Sequence, residues 1–117
     1  MKPTRWTVKT YHLIRMSAPR LRLVITKRAA NDIRTIRRYT RKQWGVAQAS
    51  DYEEAIHNAF ETLRTYPDLG KTRDDLLPAL RCHPVLSHII MYRVDGDTLN
   101  VLRIVHQRMD LFRALVP

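Results

Sequence analysis

The sequence is poorest in residues that build covalent or metal-bound frameworks. Cys82 is the only cysteine among 117 residues, so an internal disulfide is impossible and a thiolate cluster has too few ligands. Cys82 therefore reads as a small buried hydrophobe. The five histidines, His12, His57, His83, His88 and His106, contain no i,i+4 pair and no His-Glu-x-x-His spacing, which leaves no metal site and no cofactor to expect. No apolar run approaches the roughly 20 residues that cross a bilayer, and the basic N-terminus lacks the apolar block of a secretory signal. The expected address is the cytosol, with no membrane partner. Acidic residues are scarce too: 11 Asp and Glu stand against 21 Lys and Arg.

Apolar residues make up 44% of the chain and charged residues 27%, the balance of one folded domain rather than of a disordered chain. The positive excess is uneven. Residues 1–20 hold five basic residues and no acid, which leaves 16 against 11 for the remainder. A remainder of that charge attracts nucleic acid or an acidic protein by long-range steering. Residues 1–18 show no sustained periodicity and are expected to form a flexible extension, with Met16 offering an alternative start; residues 19–117 are the expected domain.

Leu21, Leu23 and Ile25 alternate onto one face of a strand, and Thr26 is placed to cap a helix. From Ala29 the residues Ala29, Ile33, Ile36, Tyr39 and Trp44 approximate one helical stripe, with Arg34, Arg37, Arg38, Arg41 and Lys42 on the wet side. Gly45 ends that helix. A second helix spans about 46–66, with Tyr52, Ile56, Ala59, Phe60, Leu63 and Tyr66 facing inward, and Pro67 stops it. One glycine between two helices forces a hairpin. The helical spacing of Tyr39, Trp44, Tyr52, Phe60 and Tyr66 predicts core packing for these aromatics. After a turn-rich stretch to Pro78 come strands at about 80–83, 87–94 and 98–105, with Asp95-Gly96 as the hairpin signal between the last two. A short terminal helix is expected within 109–115. The order is β-α-α-β-β-β-(α), an α+β domain with a helical hairpin packed on a small, mainly antiparallel sheet.

That order, with the residues that punctuate it, resembles the RelE/ParE superfamily of toxins from about Leu21 to Leu115. The punctuation is Tyr39…Trp44-Gly45, Gln48-Ala49…Tyr52, Pro67…Gly70-Lys71-Thr72-Arg73, Leu80-Arg81, and His88-Ile89-Ile90-Met91-Tyr92-Arg93. The closing Arg103-Ile104-Val105-His106-x-Arg108-x-Asp110 is similar to the ParE branch. Ala79 and Leu86 depart from it, standing where glycine is common. The resemblance implies a toxin of a type II toxin–antitoxin pair that binds DNA gyrase and blocks replication without cutting RNA. It also implies a cognate ParD-like antitoxin as hetero-oligomeric partner. Direct sequence-specific nucleic-acid binding is not expected.

If Asp95-Gly96 is a two-residue loop, Ile90 faces Val101 and His88 faces Arg103; if Val85-Leu86 closes the preceding hairpin, Arg81 faces Ile90 and His83 faces His88. Arg81, His83, His88, Tyr92 and Arg103 then share one open face. Cys82, Ile89, Met91, Leu102 and Ile104 form the other, the expected seat of the helices. The expected partner-binding set is Arg73, Arg81, Arg103, Arg108, His88 and Tyr92, with Arg34, Arg37, Arg38 and Arg41 as a second basic surface. Arginine forks suit the carboxylates of an antitoxin. The alternative is a RelE-type mRNA interferase, with Arg81 and Arg103 on phosphate and His88 or Tyr92 moving the proton. Residues 113–117 bring no tyrosine or histidine to it, so no catalytic residue is assigned. The blandest reading makes the same residues a solvated sheet face.

Overall fold

The computed structural model describes residues 20–117, and the extension expected over residues 1–18 lies outside the described residues. Strand β1, Arg22–Ile25, leads directly into helix α1, Lys27–Trp44. Between them Thr26 accepts the Ala29 N–H on its hydroxyl, which caps the first turn. Gly45 lies at φ 97°, a conformation free of strain only without a Cβ, and so α2, Val46–Thr65, starts at once and folds back along α1. A 3-10 turn, Pro67–Leu69, is followed by the strands β2 (Lys71–Thr72), β3 (Arg81–Val85), β4 (His88–Asp95) and β5 (Thr98–His106). The chain closes with α3, Leu111–Leu115, capped by the Asp110 carboxylate.

All five strands form one sheet in the order β1-β5-β4-β3-β2. β1 runs parallel to β5 and the other neighbours are antiparallel. The helical hairpin covers one face. There Ala29, Ile33 and Ile36 of α1 and Ile56, Phe60 and Leu63 of α2 pack on Ile90, Tyr92, Leu99, Val101 and Ile104. The other face has a smaller cover, in which Leu80, Met91, Val105 and Ala114 are buried and flanked by Leu76, Leu77, Leu102, Leu111 and Leu115.

The expected order of elements holds, with the two-residue β2 added. Several finer expectations do not. The buried stripe of α1 runs Ala29, Ile33, Ile36, Thr40, so its fourth member is a threonine. Tyr39 and Trp44 are 63% and 66% exposed instead of packed in the core. Both hairpin turns fall one residue later than expected. Leu86-Ser87 and Gly96-Asp97 occupy them, so Val85 pairs with His88 and Asp95 with Thr98. A turn moved by one residue changes each partner by two and leaves every side chain on its expected side. Arg81 therefore faces Tyr92, and His83 faces Ile90.

A β-bulge changes the sides. The register slips between Met91 and Tyr92, whose partners are Arg103 and Val101, with Leu102 as the extra residue. Past it Ile104 joins Ile90 and Tyr92, while Arg103 pairs with Met91. Arg103 thus leaves the face that carries Arg81, His83, His88 and Tyr92. The helices also sit on the face expected to be open. β4 and β5 bury apolar residues on both sides because both sides have a cover, so alternation of polarity does not distinguish the faces.

Ala79 and Leu86 take positive φ, 63° and 54°. The chain keeps a conformation that suits glycine and bears the strain of a Cβ there. Ala79→Gly and Leu86→Gly are each expected to raise stability by about 0.5–1 kcal/mol. Urea unfolding that shows an unchanged or lower midpoint for both would contradict the strain.

Candidate functional site

β1 ends at Ile25, opposite Val101, although β5 continues to His106. The start of α1 occupies the edge left open. Thr26 donates from its N–H to the Val101 carbonyl (3.1 Å) and from its hydroxyl to the Leu102 carbonyl (3.1 Å). Asp32 accepts the Ile104 N–H at 2.9 Å and takes Arg103 through both oxygens, with Nε at 2.8 Å and Nη2 at 3.0 Å. The side chains are only 14% and 13% exposed. Arg103 also donates to the Ala114 carbonyl, and Arg28 reaches Ala114 and Val116 at 3.1 and 3.2 Å. The last turn of the chain is thus held by two arginines at its carbonyl end, where positive charge is favourable.

Tyr92 is buried, and its hydroxyl donates to the Pro67 carbonyl and accepts the Gly70 N–H at 2.9 Å. Gly70 leaves no room for a side chain, since an added Cβ would overlap the Tyr92 ring. Burial holds the phenol above its ordinary pKa. Arg81 works on the same turn, donating to the carbonyls of Gly70 at 2.7 Å and Asp68 at 3.2 Å. These two residues fasten the stretch between α2 and β2.

His88 sits half-buried between α2 and β5. The Tyr52 hydroxyl lies 2.6 Å from its Nδ1 and accepts the Ser87 N–H at 3.0 Å. The direction of the Tyr52–His88 bond follows the tautomer of the imidazole. The rings of Tyr52 and His106 meet it edge-on at 5.5 and 5.4 Å. Burial, and then the neighbouring His106, push His88 below the ordinary imidazole pKa, with Asp32 opposing; burial lowers His83 likewise. His106 accepts the Arg108 N–H at the turn after β5, while the Arg73 guanidinium is paired with Asp75.

The lightly covered face of the sheet has two apolar hollows, one at each end of α3. The first, about 420 Å³, is lined by Thr26, Lys27, Arg28, Leu77, Leu102, Arg103 and Leu115. The second, about 340 Å³, is lined by Lys71, Arg73, Cys82, Pro84, Ile89 and Leu111. Both have a mainly apolar floor and basic residues at the margin. Among the described residues no group of three or more His, Cys, Asp or Glu is placed to hold a metal ion, and no helix is long and apolar enough to cross a membrane.

Residues 23–111 match the family described as the ParE toxin of the type II toxin–antitoxin system parDE. The chain belongs to the ParE toxin family. Among curated ParE relatives, Toxin ParE1 of Mycobacterium tuberculosis is 38% identical over 77 residues, 65% of this chain and 79% of that protein. Toxin ParE1 of Caulobacter vibrioides is 31% identical over 86 residues, 74% and 88% of the two chains. Toxin ParE of Escherichia coli is 33% identical over 93 residues, 79% and 90%. A solved structure of a chromosomal ParDE toxin–antitoxin system from P. aeruginosa has a TM-score of 0.65 at 23% identity, covering 74% of this chain and 95% of that one. The RelBE2 toxin–antitoxin complex from M. tuberculosis gives 0.57 at 20% identity, covering 76% and 100%. Both share the fold.

Within this ParE chain the expected constellation divides. Arg81 and Tyr92 come together but serve the Pro67–Gly70 turn, His88 meets Tyr52 and His106, and Arg103 stands apart with Asp32. Arg73 lines one hollow and Arg103 the other, and Arg108 is exposed beyond β5. Asp32 is the residue that sequence reasoning missed. Its signal is present: it is the only acid in α1, and it lies three residues after Ala29 and four before Ile36, on the flank of the apolar stripe.

Removing one partner of a nearly buried ion pair leaves the other charge uncompensated, which typically costs about 3–5 kcal/mol. Asp32→Ala is expected to destabilise by about 3 kcal/mol and to increase hydrogen exchange in α3; a loss below that of an exposed ion pair would remove the pair from its central place. The histidines set a pH dependence. A pKa lowered on folding means that the unfolded chain binds more protons, so the contribution is complete above about pH 6.5 and is lost as pH falls through the folded-state value. Chemical denaturation between pH 7 and 5 should show falling stability, with a shallower fall in His88→Gln.

Proposed function

We propose that this ParE-family chain is a toxin that acts by binding, inhibiting DNA gyrase and so replication in the cytoplasm, and that a cognate ParD-like antitoxin neutralises it in a hetero-oligomer. The observation that carries the reading is the pair of basic-rimmed apolar hollows flanking α3. An acidic amphipathic segment suits them: its apolar side chains meet Leu77, Leu102 and Leu115, and its carboxylates meet Lys27, Arg28 or Arg73. If that segment is disordered when free, it orders on binding. The two solved neighbours, a ParDE system and a RelBE2 toxin–antitoxin complex, support an antitoxin partner.

The burial of the candidate acid–base groups favours binding over RNA cleavage. A ribonuclease of the RelE type needs an accessible proton donor beside arginines that hold the phosphate. Here the Tyr92 hydroxyl is held inside the fold, and Arg103 is committed to Asp32 on the other side of the sheet from Arg81.

Purified chain freed of antitoxin is expected to inhibit gyrase supercoiling and to leave RNA intact with and without ribosomes. Lys27→Glu, which reverses an exposed charge at the rim, should weaken antitoxin binding about tenfold. RNA cutting that disappears in Arg81→Ala, with supercoiling untouched, would replace this reading by the ribonuclease.

A further inference from the structure

Charge is not spread evenly over the described chain. α1 carries seven basic residues and one acid, whereas the rest of residues 20–117 carries ten of each. The whole positive excess of the described chain thus lies on one helix, and the acid in it, Asp32, is turned to Arg103. Elsewhere arginine is mostly neutralised: Arg20 and Arg64 meet Glu61, Arg73 meets Asp75, Arg81 meets Asp68 and Arg93 meets Asp95. On the outer side of α1, Arg37 alone has a carboxylate among the described residues, taking both oxygens of Glu53 at 2.7 Å. Arg34, Arg38, Arg41 and Lys42 are exposed and meet none there, and residues 1–19 contain no acid to supply one.

Those four residues form one stripe, roughly opposite the buried Ala29, Ile33, Ile36 and Thr40. They extend over about 12 Å of helix at 1.5 Å per residue. With Arg37 they line an open hollow of about 410 Å³. Like charges one turn apart destabilise a helix, a cost that a bound polyanion would relieve. The exposed aromatics of α1, Tyr39 and Trp44, lie beside the stripe rather than within it, so the stripe itself offers charge and no apolar floor.

We propose that this stripe is a contact surface for the phosphate backbone of duplex DNA. The shape favours that polyanion. The exposed side of α1 is convex, and the major groove of B-DNA admits a helix, whereas the deep, narrow major groove of duplex RNA does not. Cations that meet phosphate oxygens rather than base edges give affinity without sequence preference. The surface shares no residue with the hollows beside α3, and the inference is independent of gyrase as target.

The test measures binding of the full chain to a short labelled DNA duplex of arbitrary sequence, by fluorescence anisotropy over a salt series. Each phosphate contact contributes about −0.9 to the slope of log affinity against log salt, so changing Arg34, Arg38, Arg41 and Lys42 together to Gln should weaken binding at least tenfold and flatten the slope by up to about 3.6. The same four positions with Lys at each should keep binding near the parent's, and circular dichroism should show equal helix in all three proteins. Parent-like binding by the Gln variant would overturn the proposal. So would a loss confined to a variant with Lys2, Arg5, Lys9 and Arg15 changed to Gln, or displacement of the duplex by duplex RNA or polyglutamate at equal or lower charge concentration.

Discussion

One carboxylate, that of Asp32, meets an edge amide of β5, the fork of Arg103 and, through Arg103, the last turn of the chain. The need for it follows from strand lengths. β1 covers β5 only as far as Val101, and an unpaired strand edge in a small domain has to be satisfied by something other than a strand. α1 does this from its first turns, so helix and sheet are joined by directed bonds as well as by apolar contact. Because Arg103 continues to Ala114, the covers on the two sides of the sheet are fixed to the same strand. The bulge at Leu102 is part of the arrangement: without the extra residue, Arg103 would fall on the side of Ile90 and Tyr92, inside the helix-covered core.

This linkage bears on where a partner can dock. The helix-covered face is a closed apolar interior, whereas α3 has five residues and lies over a face too wide for it. Apolar floor remains visible at both of its ends. A cover so short, held by arginine to carbonyl bonds, belongs to the low-stability end of a domain, where local opening is least costly. The basic margin of the hollows comes from residues that also position the fold, Arg28 and Arg103 above all.

Much of this organisation was legible in the residues themselves. Thr26 as a cap, Gly45 as the only residue between two helices, Pro67 as a stop and the strand periods after Pro78 each act through local chemistry, and each appears where local chemistry puts it. The pairing of strands does not depend on local chemistry alone. Asp95-Gly96 marks a turn, but the tight pair is Gly96-Asp97, and the neighbouring turn moves in the same way. Such shifts are harmless to the sides of a strand. The bulge is not, and nothing in Val101-Leu102-Arg103 marks it without knowledge of Asp32 across the chain. The covered face was illegible for a related reason: β4 is apolar on both sides, and the polar residues that pointed to an open face, Arg81 and His83, belong to β3, next to the two-residue edge strand β2. Tyr39 and Trp44 fit a loosely drawn apolar stripe, yet the true stripe ends in Thr40.

The two helices show why charge and stability are separable here. α2 carries Asp51, Glu53, Glu54 and Glu61, enough on paper to offset about half of the excess on α1, yet only Glu53 reaches across, to Arg37, while Glu61 turns to Arg20 and Arg64. Packing decides this. Helices that meet through apolar stripes turn their polar faces away from the contact, so acidic and basic faces on neighbouring helices are brought near each other only along the seam. Exposed pairs along such a seam contribute about 0.2–1 kcal/mol each, far less than burial of Ile33, Ile36, Ile56, Phe60 and Leu63. The hairpin is therefore held by its interior, and its outer arginines can change or acquire a ligand without disturbing the fold that presents them.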